Sequence, residues 1–539
     1  MRAMRRILSP RFLSVFGLTL LSSAVPAQAQ FDPSKVWVEP PAIAARFPDP
    51  PVSYATPGFR AGRTDFASHA EVLAFLDELA RQSPHVRIEH LGPSQQGRDM
   101  PLVLLADQGR FDPARPTVMV IGQQHGNEPA GGEAVLALAQ QFASGPQAAL
   151  LQKVNLVLVP RANPDGAERF TRVTANGIDV NRDHLLLRTP EARLLAAATL
   201  RYRPQVVLDL HEFTVGGRWI DKFGSAMKYD ALLQPATVGN LDPLIAATAQ
   251  RDYVDAVQAA FTQAGLQGFV YHTTSGGKGE DRTVSMGGVQ PDTGRNVSAL
   301  HQAVSLLLEV RGVGLGRAHF ARRVHTQVLA ATTVIETAAR QGPALLGLTT
   351  QAGQRASAAA CHGDLVVEAW QTPTRQRLEF LDARTGEDKA VDVDWRSADT
   401  LRIANARPRP CGYLLAASEG QAVQRLQMLG VRVERIDNAA PWSVERYEIL
   451  SQTDGQRQDG RGVIADGEAI RAFKVRPRTG RAVMPPGSFY VSLAQPLSPL
   501  ISAALEPDSQ NSYAANHLLE IGDDRLLRVP GAPPAGVWH

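Results

Sequence analysis

The chain has 539 residues, of which 44% are hydrophobic and 20% are charged, and its formal net charge is only +3. A chain of this length exceeds what one hydrophobic core ordinarily holds, so two or more domains are expected. The small net charge and the lack of a long basic run argue against a nucleic-acid-binding surface, and no nucleic-acid partner is expected.

The first 29 residues contain the three parts of a secretory signal peptide. Several arginines precede an apolar stretch from Phe12 to Val25, and an Ala-x-Ala sequence ends at Ala29. A membrane anchor is the alternative, but the stretch is too short and too rich in Ser and Gly to favour one. We therefore expect cleavage after Ala29 and a periplasmic or secreted protein that has no stable membrane anchor.

Residues 30–59 form a Pro-rich lead-in, and regular patterns begin after it. Helical periodicity is present at 69–82, 131–143, 190–202, 252–264 and 297–304, and strand patterns are present at 86–91, 101–106, 117–123, 154–159, 206–210 and 305–310. Strands that alternate with helices predict an α/β domain over residues 60–341, with a mixed, mainly parallel sheet flanked by helices. Such sheets place their functional sites at the carboxyl ends of strands.

The pattern changes after residue 341. Short alternating runs with turn residues predict a β-rich C-terminal domain over residues 342–539, with one amphipathic helix at 420–430. No motif in this segment indicates its role. The two cysteines, Cys361 and Cys411, could pair in an oxidising compartment or remain as buried free thiols, and the sequence does not decide between these alternatives.

One His and one Glu stand three residues apart just after an apolar strand, at His125 and Glu128. They are either polar groups that close a loop or two ligands of one metal ion. A catalytic zinc site takes three protein ligands and leaves one position open. His211 closes a second apolar strand. Two histidines in this position, one of them beside a glutamate, favour a metal site.

Other polar residues suggest the rest of an active site. Glu309 lies in an otherwise apolar strand, where a carboxylate is costly unless it is paired or functional. It could form a buried ion pair with Arg311, or it could face water activated by the metal and act as a general base. Asn181 and Arg182 suit a substrate carboxylate, and Asp179 could hydrogen-bond the far nitrogen of a zinc-bound histidine.

Five short motifs occur in the order seen in the zinc metallocarboxypeptidases of the carboxypeptidase A-like fold. They are HGNE (125–128), NPDG (163–166), NGIDVNRD (176–183), DLH (209–211) and LLEVRG (307–312). The chain resembles this family over residues 60–324. The resemblance implies one Zn²⁺ ion held by His125, Glu128 and His211, with Glu309 as general base and later as proton donor to the leaving amine. It also implies Asn181 and Arg182 as the clamp on the terminal carboxylate, Arg172 as the residue that stabilises the oxyanion, and Asp179 as the partner of the first zinc-bound histidine.

The chain departs from the family pattern in two places. The usual lid tyrosine is missing from the matching place after residues 275–277, and Tyr271 and His272, which come earlier, are expected to serve elsewhere. The loop leads instead to Arg295, which we expect to be an additional anion contact. Position 127 is Asn, as in the related succinylglutamate desuccinylase/aspartoacylase branch, which hydrolyses N-acyl amino acids with the same metal triad.

The sequence therefore predicts an exported zinc-dependent carboxypeptidase that hydrolyses the C-terminal peptide bond of peptides by means of metal-activated water. A zinc-dependent deacylase or amidohydrolase of N-acyl amino acids is the alternative, because both kinds of substrate carry a carboxylate. A catalytically inactive peptide-binding module is disfavoured because all three metal ligands and the base are present.

Overall fold

The computed structural model describes residues 31–277, 280–464 and 469–538. The expected signal peptide, residues 1–29, lies outside the described residues. Among the helices that are described, none has the length and apolar character needed to cross a membrane.

Helices and strands alternate through the first part of the chain. The α-helices are α1 (Pro41–Ala44), α2 (His69–Gln82), α3 (Pro129–Ser144), α4 (Pro164–Arg169), α5 (Pro190–Tyr202), α6 (Arg218–Phe223), α7 (Pro243–Thr248), α8 (Asp255–Gln263), α9 (Gly294–Leu300), α10 (Phe320–Gln341), α11 (Pro343–Ala358), α12 (Gly420–Met428) and α13 (Ser498–Leu505). The strands are β1 (Val86–Pro93), β2 (Asp99–Leu105), β3 (Thr117–Gly122), β4 (Asn155–Val159), β5 (Val206–Thr214), β6 (Ser225–Met227), β7 (Ala231–Pro235), β8 (Gly268–Val270), β9 (His272–Thr273), β10 (Thr283–Met286), β11 (Val304–Val313), β12 (Asp364–Asp382), β13 (Asp388–Pro408), β14 (Gly412–Leu415), β15 (Glu434–Arg435), β16 (Ala440–Gln456), β17 (Gln458–Asp459), β18 (Gly462–Val463), β19 (Ala469–Met484), β20 (Phe489–Ser492) and β21 (Leu526–Val529).

An eight-stranded sheet in the order β1-β2-β4-β3-β5-β11-β7-β8 forms the centre of the fold. Its middle strands β4, β3, β5 and β11 are parallel to one another, and β1, β2 and β7 run antiparallel to their inner neighbours. Helices α3 and α10 pack on one face and α5 on the other. Because both faces are covered, the central strands are buried along almost their whole length rather than at alternate positions. The predicted α/β fold with a mixed sheet is confirmed.

Most predicted element boundaries differ slightly from the observed ones. The helices at 69–82 and 190–202 have the predicted bounds, but β5 continues to Thr214, so that His211 lies inside the strand. The last predicted helix ends earlier, at Leu300, because β11 begins at Val304, where it pairs with Val206 of β5.

A second sheet, in the order β6-β12-β13-β10-β9, contains strands from both sides of the predicted boundary at residue 341. The long hairpin β12–β13 belongs to the predicted C-terminal domain, and β6, β9 and β10 belong to the predicted catalytic domain. Helix α11 also follows that boundary directly. The two predicted domains are therefore joined by a shared sheet.

A third sheet, in the order β15-β20-β14-β21-β16-β19, forms the β-rich C-terminal region, and α12 and α13 pack against it. Its edge hairpin is long: β16 and β19 pair from Ala440 with Met484 to Gln456 with Ala469. A short β17–β18 hairpin follows directly after β16. The β17–β18 hairpin lines the cleft of the candidate active site with its residues 459–461.

The two cysteines are paired. The Sγ atoms of Cys361 and Cys411 are 2.01 Å apart and the Cα atoms 4.3 Å apart, and the two positions are separated by 50 in the chain. The disulfide joins the segment after α11 to the start of β14, and it settles the alternative that the sequence left open.

We predict that the denatured, unreduced protein has no titratable thiol. In the Cys361→Ser/Cys411→Ser variant, loss of the cross-link frees the unfolded chain and should lower stability by about 2–4 kcal/mol. Thermal unfolding with and without a reductant measures this effect. The reductant should shift the midpoint of the natural chain and leave that of the double variant unchanged. Two free thiols per chain would contradict the pairing.

Candidate active site and metal centre

The carboxyl ends of three adjacent parallel strands bring the predicted ligands and base together. His125 lies three residues beyond Gly122, the last residue of β3, and Gly122 pairs with Leu210 of β5. In turn, His211 of β5 pairs in register with Glu309 of β11. The sheet therefore places these side chains at one edge although they are far apart in the chain.

Three buried side chains, those of His125, Glu128 and His211, direct possible metal-ligand atoms at one point. Nδ1 of His125 lies 2.8 Å from Oε1 of Glu128, and Nδ1 of His211 lies 2.9 Å from Oε2 of the same carboxylate. The two Nδ1 atoms are 2.9 Å apart. Ligand atoms of all three side chains lie within 4.8 Å of one another, so they could hold one metal ion.

The far nitrogens of both histidines face carboxylates. Nε2 of His125 lies 3.1 Å from Oδ1 of Asp179, and Nε2 of His211 lies 2.9 Å from Oδ2 of Asp209. These partners favour the tautomer with the proton on Nε2 and leave the Nδ1 lone pairs directed at Glu128. Lone pairs and a carboxylate that face one another repel unless a cation lies among them. Two imidazoles and one carboxylate are a donor set typical of catalytic zinc, so the residues fit that ion.

The turn between β3 and α3 is held in place by close packing. A Cβ on Gly126 would lie 1.9 Å from the backbone carbon of Gly166, so only glycine allows this approach. The amide of Glu128 donates to the carbonyl of His125, 3.1 Å away. The Glu128 carboxylate also accepts from the amide of Glu212, at 3.0 Å. The ligand pair is thus oriented by backbone contacts.

Two cavities that share Arg172, Tyr271, Thr273, Glu309 and Arg461 among their lining residues form what we call the active-site cleft. Glu309 is half-buried in it, and burial, together with the charge of Glu128, raises the pKa of its carboxyl group. The alternative ion pair with Arg311 is not formed, because Arg311 donates to Glu39 at 2.5 Å instead. Glu309 is therefore available to a group in the cleft.

The guanidinium of Arg172 lies beside the three candidate metal ligands. Its Nε donates to Oδ2 of Asp179 at 3.0 Å, and its Nη1 lies 3.2 Å from Oε1 of Glu128. This position is next to the point where the three ligands converge, and the side chain remains 29% exposed. A positive group here can approach an oxygen that gains negative charge during a reaction.

Asn181 and Arg182 also reach the cleft, but both are already hydrogen-bonded. Oδ1 of Asn181 accepts from the amide of Gly294 at 2.8 Å, and its Nδ2 lies 3.2 Å from Nε2 of His211. Nη2 of Arg182 donates at 2.5 Å to Asp459 of the C-terminal region. The sequence did not indicate this partner because Asp459 is 277 positions away.

Tyr271, Arg295 and Arg461 also line the cleft. The expectation that Tyr271 serves elsewhere is wrong, since it borders both cavities together with Glu309. Arg295 is buried, its Nη2 donates to the carbonyl of Gly288 at 2.6 Å, and burial lowers its pKa to about 10. In the described part of the chain no carboxylate forms an ion pair with Arg295. Arg461 was not identified from the sequence, because no motif surrounds it.

Comparisons with known proteins agree with this geometry. A family model described as zinc carboxypeptidase matches residues 72–198, which include His125, Glu128 and Arg182. "Carboxypeptidase 2" of Trichophyton rubrum is 27% identical over 532 residues, which cover 95% of this chain and 97% of that protein. These matches support a zinc carboxypeptidase. "Carboxypeptidase E" of Caenorhabditis elegans is 30% identical over 161 residues, or 24% of this chain and 34% of that protein.

Solved metallocarboxypeptidases align with about half of this carboxypeptidase. Carboxypeptidase A from Helicoverpa armigera has 17% sequence identity and a TM-score of 0.40, with 51% of this chain and 74% of that one covered. A metallo-carboxypeptidase from Pseudomonas aeruginosa has 21% identity and a TM-score of 0.37, with 50% and 69% covered.

We predict that Asp179→Asn lowers the affinity of the carboxypeptidase for zinc by about 10- to 100-fold, because the amide no longer orients and polarises His125. Competition with a chromogenic chelator measures this affinity. Asp230→Asn is the matched control, because Asp230 is equally buried but pairs with Arg322 instead of a ligand. Equal zinc affinity of the Asp179→Asn variant and the natural chain would remove Asp179 from this role.

Proposed function

We propose that the protein is an exported, zinc-dependent carboxypeptidase that removes the C-terminal residue of peptides with a free terminal carboxylate. One observation carries the proposal: His125 and Glu128, which cluster with His211, line the same cleft as Glu309 and several arginines. The signal-peptide pattern and the Cys361–Cys411 disulfide support export, since disulfides persist in oxidising compartments.

Glu309 is the proposed general base. Zinc, when bound, supplies Lewis acidity that polarises a carbonyl and lowers the pKa of water. Glu309 would accept a proton from the attacking water and afterwards donate it to the nitrogen of the leaving amine. Its raised pKa brings the carboxyl group closer to the range in which it can both take up and release a proton.

The arginines have two proposed roles. Arg172, beside the ligands, would stabilise the negative charge that develops on the carbonyl oxygen of the scissile bond. Asn181 and Arg182 would orient the terminal carboxylate of the substrate. Arg295, which is buried in the cleft lining without a carboxylate partner in the described chain, would contribute a further positive charge to anion binding.

Hydrolysis of N-acyl amino acids is the second candidate, supported by Asn127. Its Oδ1 is buried and has no hydrogen-bond partner among the described residues, and Asn127 lines the cleft beside Glu128. Such a substrate carries a carboxylate and an amide bond, as a peptide terminus does. The near full-length similarity to a protein named carboxypeptidase supports peptides as the substrate.

We predict that Glu309→Gln retains zinc and loses activity by at least about 100-fold, because the amide cannot accept the proton from water. Metal analysis of the purified variant and turnover of a peptide with a free C-terminus measure the two properties. Glu336→Gln, on helix α10 outside the cleft, is the control and should be fully active. Near-normal turnover by Glu309→Gln would exclude the base role.

We predict that the mature protein releases single C-terminal residues from peptides with free termini and leaves C-terminally amidated peptides intact, because only the free carboxylate pairs with the arginines. A peptide panel, run beside N-acyl amino acids with and without a chelator, measures this preference. The chelator should abolish release. Cleavage of N-acyl amino acids alone would instead assign the protein to the deacylase branch.

A further inference from the structure

The C-terminal region extends a loop into the active-site cleft. This inserted loop, residues 457–461, runs from the end of β16 through the short strand β17 to the start of β18. Its residues Asp459, Gly460 and Arg461 line the cleft. We propose that Arg461 is a substrate-binding residue of the carboxypeptidase, which receives the terminal carboxylate of the peptide together with Arg182. This inference rests on the proposed peptidase function and deepens it, because it makes the C-terminal domain part of the catalytic site.

The inserted loop is anchored on its N-terminal side. The guanidinium of Arg457 forms an ion pair with Asp292, and both side chains are almost fully buried. Its Nη2 also donates to the carbonyl of Arg182 at 2.6 Å. Asn511 donates to the same Asp292 carboxylate at 2.9 Å. Removing one partner of a buried ion pair strongly destabilises a fold, because it leaves a buried charge without a partner. These contacts therefore hold the inserted loop in one position at the cleft.

The middle of the inserted loop packs closely on the catalytic region. A Cβ on Gly460 would lie 3.1 Å from Cγ2 of Thr273 and 3.3 Å from Cβ of Ser285. Glycine at this position allows the backbone to lie directly on strands β9 and β10. The contact places the next residue, Arg461, at the cleft.

Asp459 links two arginines. Its Oδ2 accepts from Nη2 of Arg182 at 2.5 Å and from Nη2 of Arg461 at 3.0 Å, and its Oδ1 accepts from the amide of Arg461 at 2.7 Å. The Asp459 side chain is only 8% exposed. A carboxylate held in this way fixes the position of both guanidinium groups. Asp459 is therefore a positioning residue.

Arg461 shares both of its neighbouring carboxylates with another arginine. Three guanidinium groups, those of Arg172, Arg182 and Arg461, share the carboxylates of Asp179 and Asp459. Nη2 of Arg461 also lies 3.9 Å from Oδ2 of Asp179, which already binds Arg172. The Arg461 guanidinium, with several N–H donors, can therefore pair with a substrate carboxylate in addition to Asp459.

Exposure indicates where that carboxylate binds. The Arg182 side chain is 13% exposed and engaged by Asp459, whereas Arg461 is 26% exposed. Arg461 also borders both cavities of the cleft, so its free N–H groups can reach a ligand from either side. Arginine binds a carboxylate through two parallel hydrogen bonds, which suits a peptide terminus.

The test measures substrate binding without turnover. In the zinc-loaded Glu309→Gln protein, calorimetry gives the Kd of an N-acetylated tetrapeptide and of its C-terminal amide. Adding Arg461→Ala should raise the Kd of the free acid at least about tenfold, as expected for loss of a charge-assisted hydrogen bond, and should leave that of the amide within about twofold. Arg461→Lys should restore part of the affinity, since lysine keeps the charge without the paired geometry.

Arg446→Ala is the matched control. Arg446 belongs to the same region and binds Asp524 at 2.6 Å on the surface, away from the cleft, so its loss should not affect peptide binding. Thermal midpoints of all variants verify folding. With Glu309 restored, Arg461→Ala should raise KM for the free acid while kcat changes little.

The outcomes separate the two proposals. Unchanged free-acid affinity in Arg461→Ala, with a peptidase that is otherwise active, overturns the role of Arg461 alone. Tighter binding or faster turnover in Arg461→Ala also overturns it, and would show that the inserted loop obstructs the cleft. A Glu309→Gln protein that does not distinguish the acid from the amide, together with a natural chain that releases no residue, overturns both this inference and the proposed function.

Discussion

The register of three neighbouring parallel strands determines the geometry of the site. Because β3, β5 and β11 end at the same edge, His211 and Glu309 are opposite each other and the His125–Glu128 turn lies beside them. A slip of one residue between strands would turn Glu309 to the other face of the sheet. Apolar packing on both faces prevents such a slip, so burial far from the chemistry maintains the position of the catalytic groups.

The site concentrates ionisable groups in a largely buried region, and such groups require partners. Asp179 contacts His125 and Arg172, and Asp209 contacts His211 and accepts from Gln124 at 2.7 Å. Arg172 Nη1 approaches His125 and Glu128 from one side, at 3.1 and 3.2 Å, and the point where the three side chains converge has the donor set that suits zinc. The partners hold the ligands in place before a substrate arrives, which limits the reorganisation that a reaction requires.

The C-terminal region has a structural relation to the catalytic sheet that its sequence did not reveal. The second sheet includes strands from both regions, and the inserted loop reaches Arg182 through Asp459. The inserted loop follows strand β16 of the long β16–β19 hairpin. The buried ion pair between Arg457 and Asp292 holds the loop in position. Both regions therefore line the same cleft, and loss of C-terminal contacts would also disturb Arg182.

The sequence alone determined the α/β fold, the order of the central elements and the residues of the HGNE, NGIDVNRD, DLH and LLEVRG motifs, because periodicity and short motifs are local properties. It did not determine the disulfide, the position of Tyr271 in the cleft or the pairing of Arg182 with Asp459. Those depend on contacts between distant segments, and no local pattern records them. Only the tertiary structure decided that an arginine at position 461 lines the same cleft as His125 and Glu309, because the path of the β16–β19 hairpin places it there.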